Sequence, residues 1–287
     1  MQSGHQRNSV GRRHKYVPEV PNGCSNCPVR NATVCQAFAS NLDVVRNYKT
    51  GDRILPANAH VYRIGDRLSE LFNLLDGWIA IYRILESGRR QILDILLPGA
   101  FIGYQPDLNE PMLQGAVCLS DAALCVFPRK SFPELMERHP ALAQALVGIN
   151  AHATLRAQDQ ITNIGGRSGT TRVAHLLLDL FLRGRKGMPT GGMDVLELPL
   201  TQEVIADSLG LTPVYVNRIL RDLRERGLVV LRNGMLQIHD LEALAKLAEL
   251  STLNAVETRT EPTSLIRRMP SVGRGPAAAR VPGRVRR

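Results

Sequence analysis

Between Gly51 and Phe127 short apolar runs alternate with turn signals at Gly65-Asp66, Asp76-Gly77, Ser87-Gly88, Pro98-Gly99 and Ser120-Asp121. Runs this short and this regularly punctuated predict a compact antiparallel β domain. Within it "WIAIYRI" (Trp78 to Ile84) alternates as a strand with one buried face does, and "QILDILL" (Gln91 to Leu97) is a more uniformly apolar strand. The expected form is a small β-roll or jelly-roll-like barrel. From Phe132 the period lengthens to that of a helix and holds to about Ile164, where Gly165 to Gly169 ("GGRSG") ends it.

A helix of about 30 residues is longer than one small barrel can cover. Its stripe of Leu142, Leu146, Ile149, Ala153, Ala157 and Ile161 is expected to lie on the barrel. On another side Ala145, His152 and Asp159 recur every seven residues beside Gly148 and Leu155. That seam suits pairing with a second copy of the helix, the alternative being a face open to solvent. A further helix is predicted over Thr171 to Arg183, followed by a loop rich in Gly, Arg and Lys up to Asp194.

The sharpest punctuation lies in "LPLTQEVIADSLGLTPVYVNRILRDLRERGLVVLRNGMLQI", residues 198 to 238. Thr201 can cap a helix whose Val204, Ile205 and Leu209 face inward, and Gly210 breaks it for a tight turn. Thr212-Pro213 pairs a cap with a favoured first helical residue, so a second helix starts at once and the two form a helix-turn-helix. At 100° per residue Val216, Ile219, Leu220 and Leu223 share an inward arc, which turns Val214, Asn217, Arg218, Arg221 and Glu225 outward. The first turns of such a helix enter the major groove of DNA. There Arg218 can pair with guanine, Asn217 can read adenine and Val214 can meet a thymine methyl. Thr212, Val214, Tyr215, Asn217, Arg218 and Arg221 are therefore the candidate DNA contacts, against the plain alternative of a packing motif. Gly227 ends the helix, and Asn233-Gly234 supplies the turn of a two-stranded wing.

Charge changes this picture only slightly. A net +10 over 287 residues points to an acidic partner, but residues 1–20 hold four Lys/Arg against one Glu and residues 251–287 hold eight Arg against two Glu. The middle is nearly neutral. Both ends, rich in Gly, Pro, Ser and Arg without an apolar period, are expected to be disordered basic tails, either solvated or adding nonspecific DNA affinity. Residues 201–250 hold six basic and seven acidic side chains, so DNA binding there has to rest on the placement of a few arginines. No run reaches the roughly 18 apolar residues of a membrane span, and residues 1–20 lack the apolar middle of a secretory signal. A cytoplasmic protein without membrane contact is expected. The seven histidines are scattered and no nucleophile-base pair stands out, which argues against an enzyme.

The cysteines add chemistry. Three of the five fall in "CSNCPVRNATVC" (Cys24, Cys27, Cys35), and the others are Cys118 and Cys125. A chain this large in a reducing compartment needs no disulfide staples, which leaves metal ligands or free thiols. No βαβ pattern surrounds the Cys24-Cys27 pair, so a thioredoxin-like oxidoreductase is not expected.

The order of β-roll, long helix and winged helix-turn-helix, an α+β chain, resembles the CRP/FNR family of bacterial transcription regulators over residues 24 to 249. "LLPGAFIG" (Leu96 to Gly103), "RVAHLLLDL" (Arg172 to Leu180) and above all "LTQEVIADSLGLTPVYVNRILRDLRERGLV" carry the resemblance. It implies a cyclic-nucleotide-binding-like double-stranded β-helix in the cysteine-loop and sensor part (21–131), a dimerisation helix (132–165) and a winged helix-turn-helix domain (166–250) between the tails 1–20 and 251–287. It also implies a homodimer on near-palindromic promoter DNA, with RNA polymerase as a partner.

The cyclic-nucleotide readers of the family carry Gly-Glu near the β-roll turn and Arg-Ser/Thr shortly after. Here Gly99 is followed by Ala100 and Phe101, and "EPMLQGAVC" offers neither arginine nor hydroxyl, so no cyclic nucleotide is expected. The FNR-like branch instead holds a [4Fe-4S] cluster. The spacing Cys24-x2-Cys27-x7-Cys35 resembles its motif with the longer second spacer, and Cys125 in "ALCVFPRKSF" stands where its fourth ligand lies. Cys118 remains an open alternative, and structural zinc or no metal are alternatives to the cluster.

In that branch the intact cluster favours the dimer, and oxygen or nitric oxide destroys it and releases DNA. The resemblance carries an acidic seam residue onto Asp159, with Arg156 one turn before it as a possible neutralising partner, so that Ala145, His152, Arg156 and Asp159 are the expected dimer contacts. Where the family reads DNA with Glu, Ser and Arg, this chain has Val214, Asn217 and Arg218, so an altered half-site that keeps the guanine is expected.

Overall fold

The computed structural model describes residue 18 and residues 20–185 and 195–250. The tails expected at 1–20 and 251–287 and the loop expected up to Asp194 lie outside the described residues, except for residues 18, 20, 184 and 185. The chain opens with three short 3-10 turns, Cys24–Asn26, Arg30–Ala32 and Val34–Phe38, and the helix α1, Leu42–Tyr48. Thr33 caps the third turn, its hydroxyl accepting from the Cys35 N–H at 3.1 Å.

Eight strands follow: β1 (Gly51–Leu55), β2 (His60–Tyr62), β3 (Glu70–Asp76), β4 (Ile79–Ile84), β5 (Arg90–Leu96), β6 (Phe101–Ile102), β7 (Gly115–Cys118) and β8 (Ala122–Pro128). They form two antiparallel four-stranded sheets, ordered β1-β8-β3-β6 and β2-β7-β4-β5, and these make the expected β-roll. The turn at Asp76-Gly77 shows why glycine stands there. Gly77 has φ 91°, and a Cβ on it would lie 2.4 Å from the Asp121 carbonyl oxygen.

Side-chain alternation along β8 positions the rest. Ala122, Leu124 and Val126 face the barrel core with Phe72, Ile79 and Ile81. Ala123, Cys125 and Phe127 face the other way, packed with Val34, Phe38, Val45, Leu142 and Leu146.

The single helix expected from Phe132 to Ile164 is two, α2 (Phe132–Arg138) and α3 (Pro140–Gly166), broken at His139 with φ −131° and ψ 82°. Pro140 has no N–H to donate and disfavours helical backbone in the residue before it. The expected covering stripe holds for only half of α3. Leu142 and Leu146 are buried and Ile149 and Ala153 half-buried, but Ala157 and Ile161 are exposed, Ile161 by 71%. At 27 residues, about 40 Å at helical rise, α3 outruns the sheet beneath it.

The C-terminal elements are α4 (Gly169–Gly184), β9 (Val195–Glu197), α5 (Gln202–Leu209), α6 (Pro213–Glu225), β10 (Val229–Arg232), β11 (Met235–Ile238) and α7 (Leu241–Leu247). Thr201 accepts from the Val204 N–H and Thr212 from the Tyr215 N–H, each at 3.2 Å, so both expected caps are in place. Gly210, in the left-handed region at φ 66°, ends α5. The wing turns at Asn233 and Gly234, with φ 54° and 77°, and β9 joins it as a third strand that the pattern did not predict. Among the described residues no helix is long and apolar enough to cross a membrane.

Candidate metal centre and nucleic-acid interface

The outward face of β8 and the folded-back N-terminal turns bring Cys24, Cys27, Cys35 and Cys125 to the wall of one recess, with Val29, Arg30, Thr33, Lys49, Asn73 and Leu75 among its other lining residues. Cys118 is elsewhere, fully buried in the barrel core on β7. Of the two downstream cysteines, Cys125 is the one that faces the recess. The recess has about 20 Å³ of open space. Among the described residues no three His, Cys, Asp or Glu side chains are grouped so as to hold a single metal ion.

Burial pushes the thiols of Cys27, Cys35 and Cys125 up, and that of Cys118 up to about 11, because a thiolate loses its hydration there. Burial pulls Lys49 down, but its 2.7 Å bond to Asp52 and the neighbouring cysteines outweigh it and hold its ammonium up.

Two residues of the β-roll escaped the sequence reading. Asn73, 1% exposed on β3, donates from Nδ2 to the Cys35 Sγ at 3.4 Å; its signal was a polar residue inside the apolar run of "ELFNLLD". Arg129, 2% exposed, donates from Nη1 to the Leu68 carbonyl at 3.4 Å, while its Nε and Nη2 have no partner. A basic residue just after a strand does not advertise that it turns inward.

Along α3, Ala145, Arg156 and Asp159 are half-buried and His152 is exposed. Asp159 has partners within its own chain: its Oδ2 lies 2.6 Å from the His175 Nε2 and its Oδ1 3.7 Å from the Arg167 Nη1. Within the chain Arg156 reaches Asp94 on β5 at 3.4 Å. The exposed apolar residues of α3 are Val147, Leu155 and Ile161; Leu155 lies beside the expected seam, and Val147 and Ile161 lie about 100° round the helix from it.

The reading helix is α6. Val216, Ile219 and Leu223 are buried in the domain core and Leu220 packs on it. Val214 is 82% exposed, Asn217, Arg218 and Arg221 are exposed, and Tyr215 is half-buried. With Gln202, Thr212 and Pro213 these residues line a concave surface of about 530 Å³. The Arg218 guanidinium sits 4.8 Å from the centroid of the Tyr215 ring, and Asn217 donates from Nδ2 to the Gln202 Oε1 at 3.1 Å. Gln202 is missed by periodicity because it opens the preceding helix. The head is also tied to the β-roll: Arg90 pairs with Asp207 at 2.8 Å, and Arg183 donates to the Ile95 carbonyl at 2.8 Å.

Comparison with known proteins fits this geometry. Residues 171–247 match the Crp-like helix-turn-helix domain, and residues 52–139 match the cyclic nucleotide-binding domain. The chain is 31% identical over 234 residues to the nitrogen fixation regulation protein FixK of Bradyrhizobium diazoefficiens, an overlap of 78% of this chain and 95% of that protein. It is 27% identical over 224 residues to the transcriptional activator protein FnrL of Cereibacter sphaeroides, covering 75% and 87% respectively. The solved structure of FixK2 from Bradyrhizobium japonicum has the same fold, with a TM-score of 0.62 at 21% identity over 70% of this chain and 98% of that one.

Proposed function

The chain belongs to the CRP/FNR family of transcription regulators, and on that premise we propose that it answers to oxygen or redox state through a [4Fe-4S] cluster held by Cys24, Cys27, Cys35 and Cys125. It is a DNA-binding regulator of the CRP/FNR type; the cluster is the proposal. The observation that carries it is the meeting of three N-terminal thiols and one thiol from a distant strand along one recess.

Thiolates are the soft donors such a cluster requires. Asn73 donates to one of the sulfurs, and the Lys49 ammonium beside them offsets negative charge.

When bound, a cluster supplies an oxygen-labile link among the four thiolates. This chain's own residues carry the consequence. The turn Val34–Phe38, which contains Cys35, packs on α3, and the Phe38 ring stands edge-on to His139 at 5.2 Å, at the break that begins α3. Any shift of Cys35 relative to Cys125 therefore bears on the root of the long helix, whose seam through Ala145, His152 and Asp159 is the surface for a second copy. In a dimer two α6 helices one DNA turn apart read a near-palindrome that a single head holds weakly. RNA polymerase is the further partner in this reading, and a cyclic nucleotide has no part in it.

The test is purification without air, followed by an absorption spectrum and iron and sulfide analysis. Visible absorption with iron and sulfide in equal amounts is the expected result, bleaching in air as specific DNA affinity falls. Zinc with no visible absorption overturns the sensor and leaves the regulator standing.

A second reading starts from Arg129. Its unpartnered Nε and Nη2 form one edge of the guanidinium, and a carboxylate or phosphate effector is what such a buried edge pairs with. A thermal shift with phosphate or small carboxylates, abolished in Arg129→Met, is the expected signature.

A further inference from the structure

We infer that the two base-reading side chains of α6 are aimed by three residues that need touch no base: Gln202 aims Asn217, and Tyr215, seated on Gly169, aims Arg218. The inference rests on α6 reading DNA through Asn217 and Arg218. Long side chains on an exposed helix face ordinarily lose rotamer freedom when they bind, and a side chain held in place beforehand loses less.

Arg218 stands three residues after Tyr215 on the helix, so the two side chains meet on one face. The guanidinium lies 4.8 Å from the ring centroid, within the range of a cation–π contact. The ring itself is fixed from behind. A Cβ on Gly169 would come within 2.5 Å of the Tyr215 Cε1 and 2.8 Å of its hydroxyl oxygen, so the ring occupies space that only glycine leaves free at the start of α4. The other side of the ring packs against the core of the head. A planar guanidinium held this way can offer its donor edge to the N7 and O6 of guanine.

Asn217 is held from α5. One hydrogen of its Nδ2 goes to the Gln202 Oε1 at 3.1 Å. The amide keeps its second hydrogen and its carbonyl oxygen, which together are the donor and acceptor that the N7 and N6 edge of adenine takes. Tyr215 and Gln202 thus act as positioning residues, and the half-site they specify holds an adenine close to the guanine.

The probe is the duplex that the full-length protein, purified without air, selects from a random-sequence pool, together with its single-base-pair variants, and anisotropy gives each affinity. Arg218→Ala is expected to lower the preference for guanine at one position by roughly 5- to 150-fold, the range of a good bidentate pair. Tyr215→Ala and Gly169→Ala lower the same preference several-fold, and Tyr215→Phe keeps it. Gly169→Ala is the decisive variant, because alanine suits the first turn of a helix and what gives way is the far end of the tyrosine ring. Gln202→Ala lowers the preference for adenine at a second position, as Asn217→Ala does. Gln202→Glu keeps that preference, since its carboxylate still accepts from Nδ2, while it weakens binding to every duplex alike by repelling phosphates.

If Tyr215→Ala, Gly169→Ala and Gln202→Ala weaken all duplexes equally while Arg218→Ala and Asn217→Ala each abolish one base preference, the positioning inference is overturned and the reading of DNA by α6 stands. If Arg218→Ala and Asn217→Ala leave every preference unchanged, both fall.

Discussion

On β8 the side chains alternate, and that alternation sends Cys125 to the recess while Cys118 on β7 goes to the barrel core. Cys125→Ser prepared without air is expected to carry little iron and no visible absorption, whereas Cys118→Ser keeps both. The latter should be less stable by about 1–3 kcal/mol, because a hydroxyl enters an apolar site without a partner. Spacing and resemblance made the three N-terminal thiols legible. The fourth stayed open because Cys118 and Cys125 both lie in apolar, strand-like runs, and only the register of β8 against β1 and β3 and of β7 against β2 and β4 fixes which face each one takes. Asn73 went unseen for a related reason: a polar residue in a buried strand shows that something pairs with it, but not what. Its donation to the Cys35 sulfur gives it a test. Hydrogen bonds to cluster sulfurs tune the potential, so Asn73→Leu should load iron normally yet bleach several-fold faster in air, as followed by absorbance decay.

The long helix shows how far periodicity reaches and where it stops. Its end near Ile164 and the burial of Leu142 and Leu146 follow the pattern. The break at His139 was equally written in the sequence, in Pro140, but an unbroken apolar period across it masked the signal. Beyond Ile149 the same apolar residues leave the sheet, and periodicity alone cannot tell a residue that covers the barrel from one kept for a second copy. The exposure of His152 and Leu155 on the seam side separates them. His152→Glu with Leu155→Glu is expected to leave the melting temperature nearly unchanged and turn the dimer into a monomer by sedimentation velocity. Leu146→Ala should do the reverse, lowering stability by about 2–5 kcal/mol through a cavity on the barrel side with little direct effect on assembly.

At the scale of the whole chain, the contacts least legible in the sequence are those that tie the β-roll to the DNA-reading head. Arg90 and Asp207 are 117 positions apart, as are Gln91 and Ser208, whose carbonyl also accepts from Gln160 of α3 at 2.7 Å. Arg90 and Asp207 sit where their own elements' patterns would put a solvated side chain, and Ser208 takes part through its backbone carbonyl, so no periodicity reveals the partner. The junction leaves the outward face of α6 uncovered, so it cannot act by masking the DNA surface. What it can do is hold the head at one orientation. A fixed orientation matters to a dimer that must place two α6 helices in successive major grooves, because a loosened head has to be ordered anew on binding. As a partly exposed pair, Arg90–Asp207 contributes only about 0.2–1 kcal/mol to stability, so its loss should show in binding geometry before it shows in melting. Arg90→Glu is therefore expected to lower the ratio of full-site to half-site affinity with little change in half-site affinity. The charge swap Arg90→Glu with Asp207→Lys should restore that ratio, as a double-mutant cycle would register. A ratio unchanged by the single substitution would mean that the head takes its orientation from the apolar core it shares with Tyr82, Ile92 and Ile95 rather than from this ion pair.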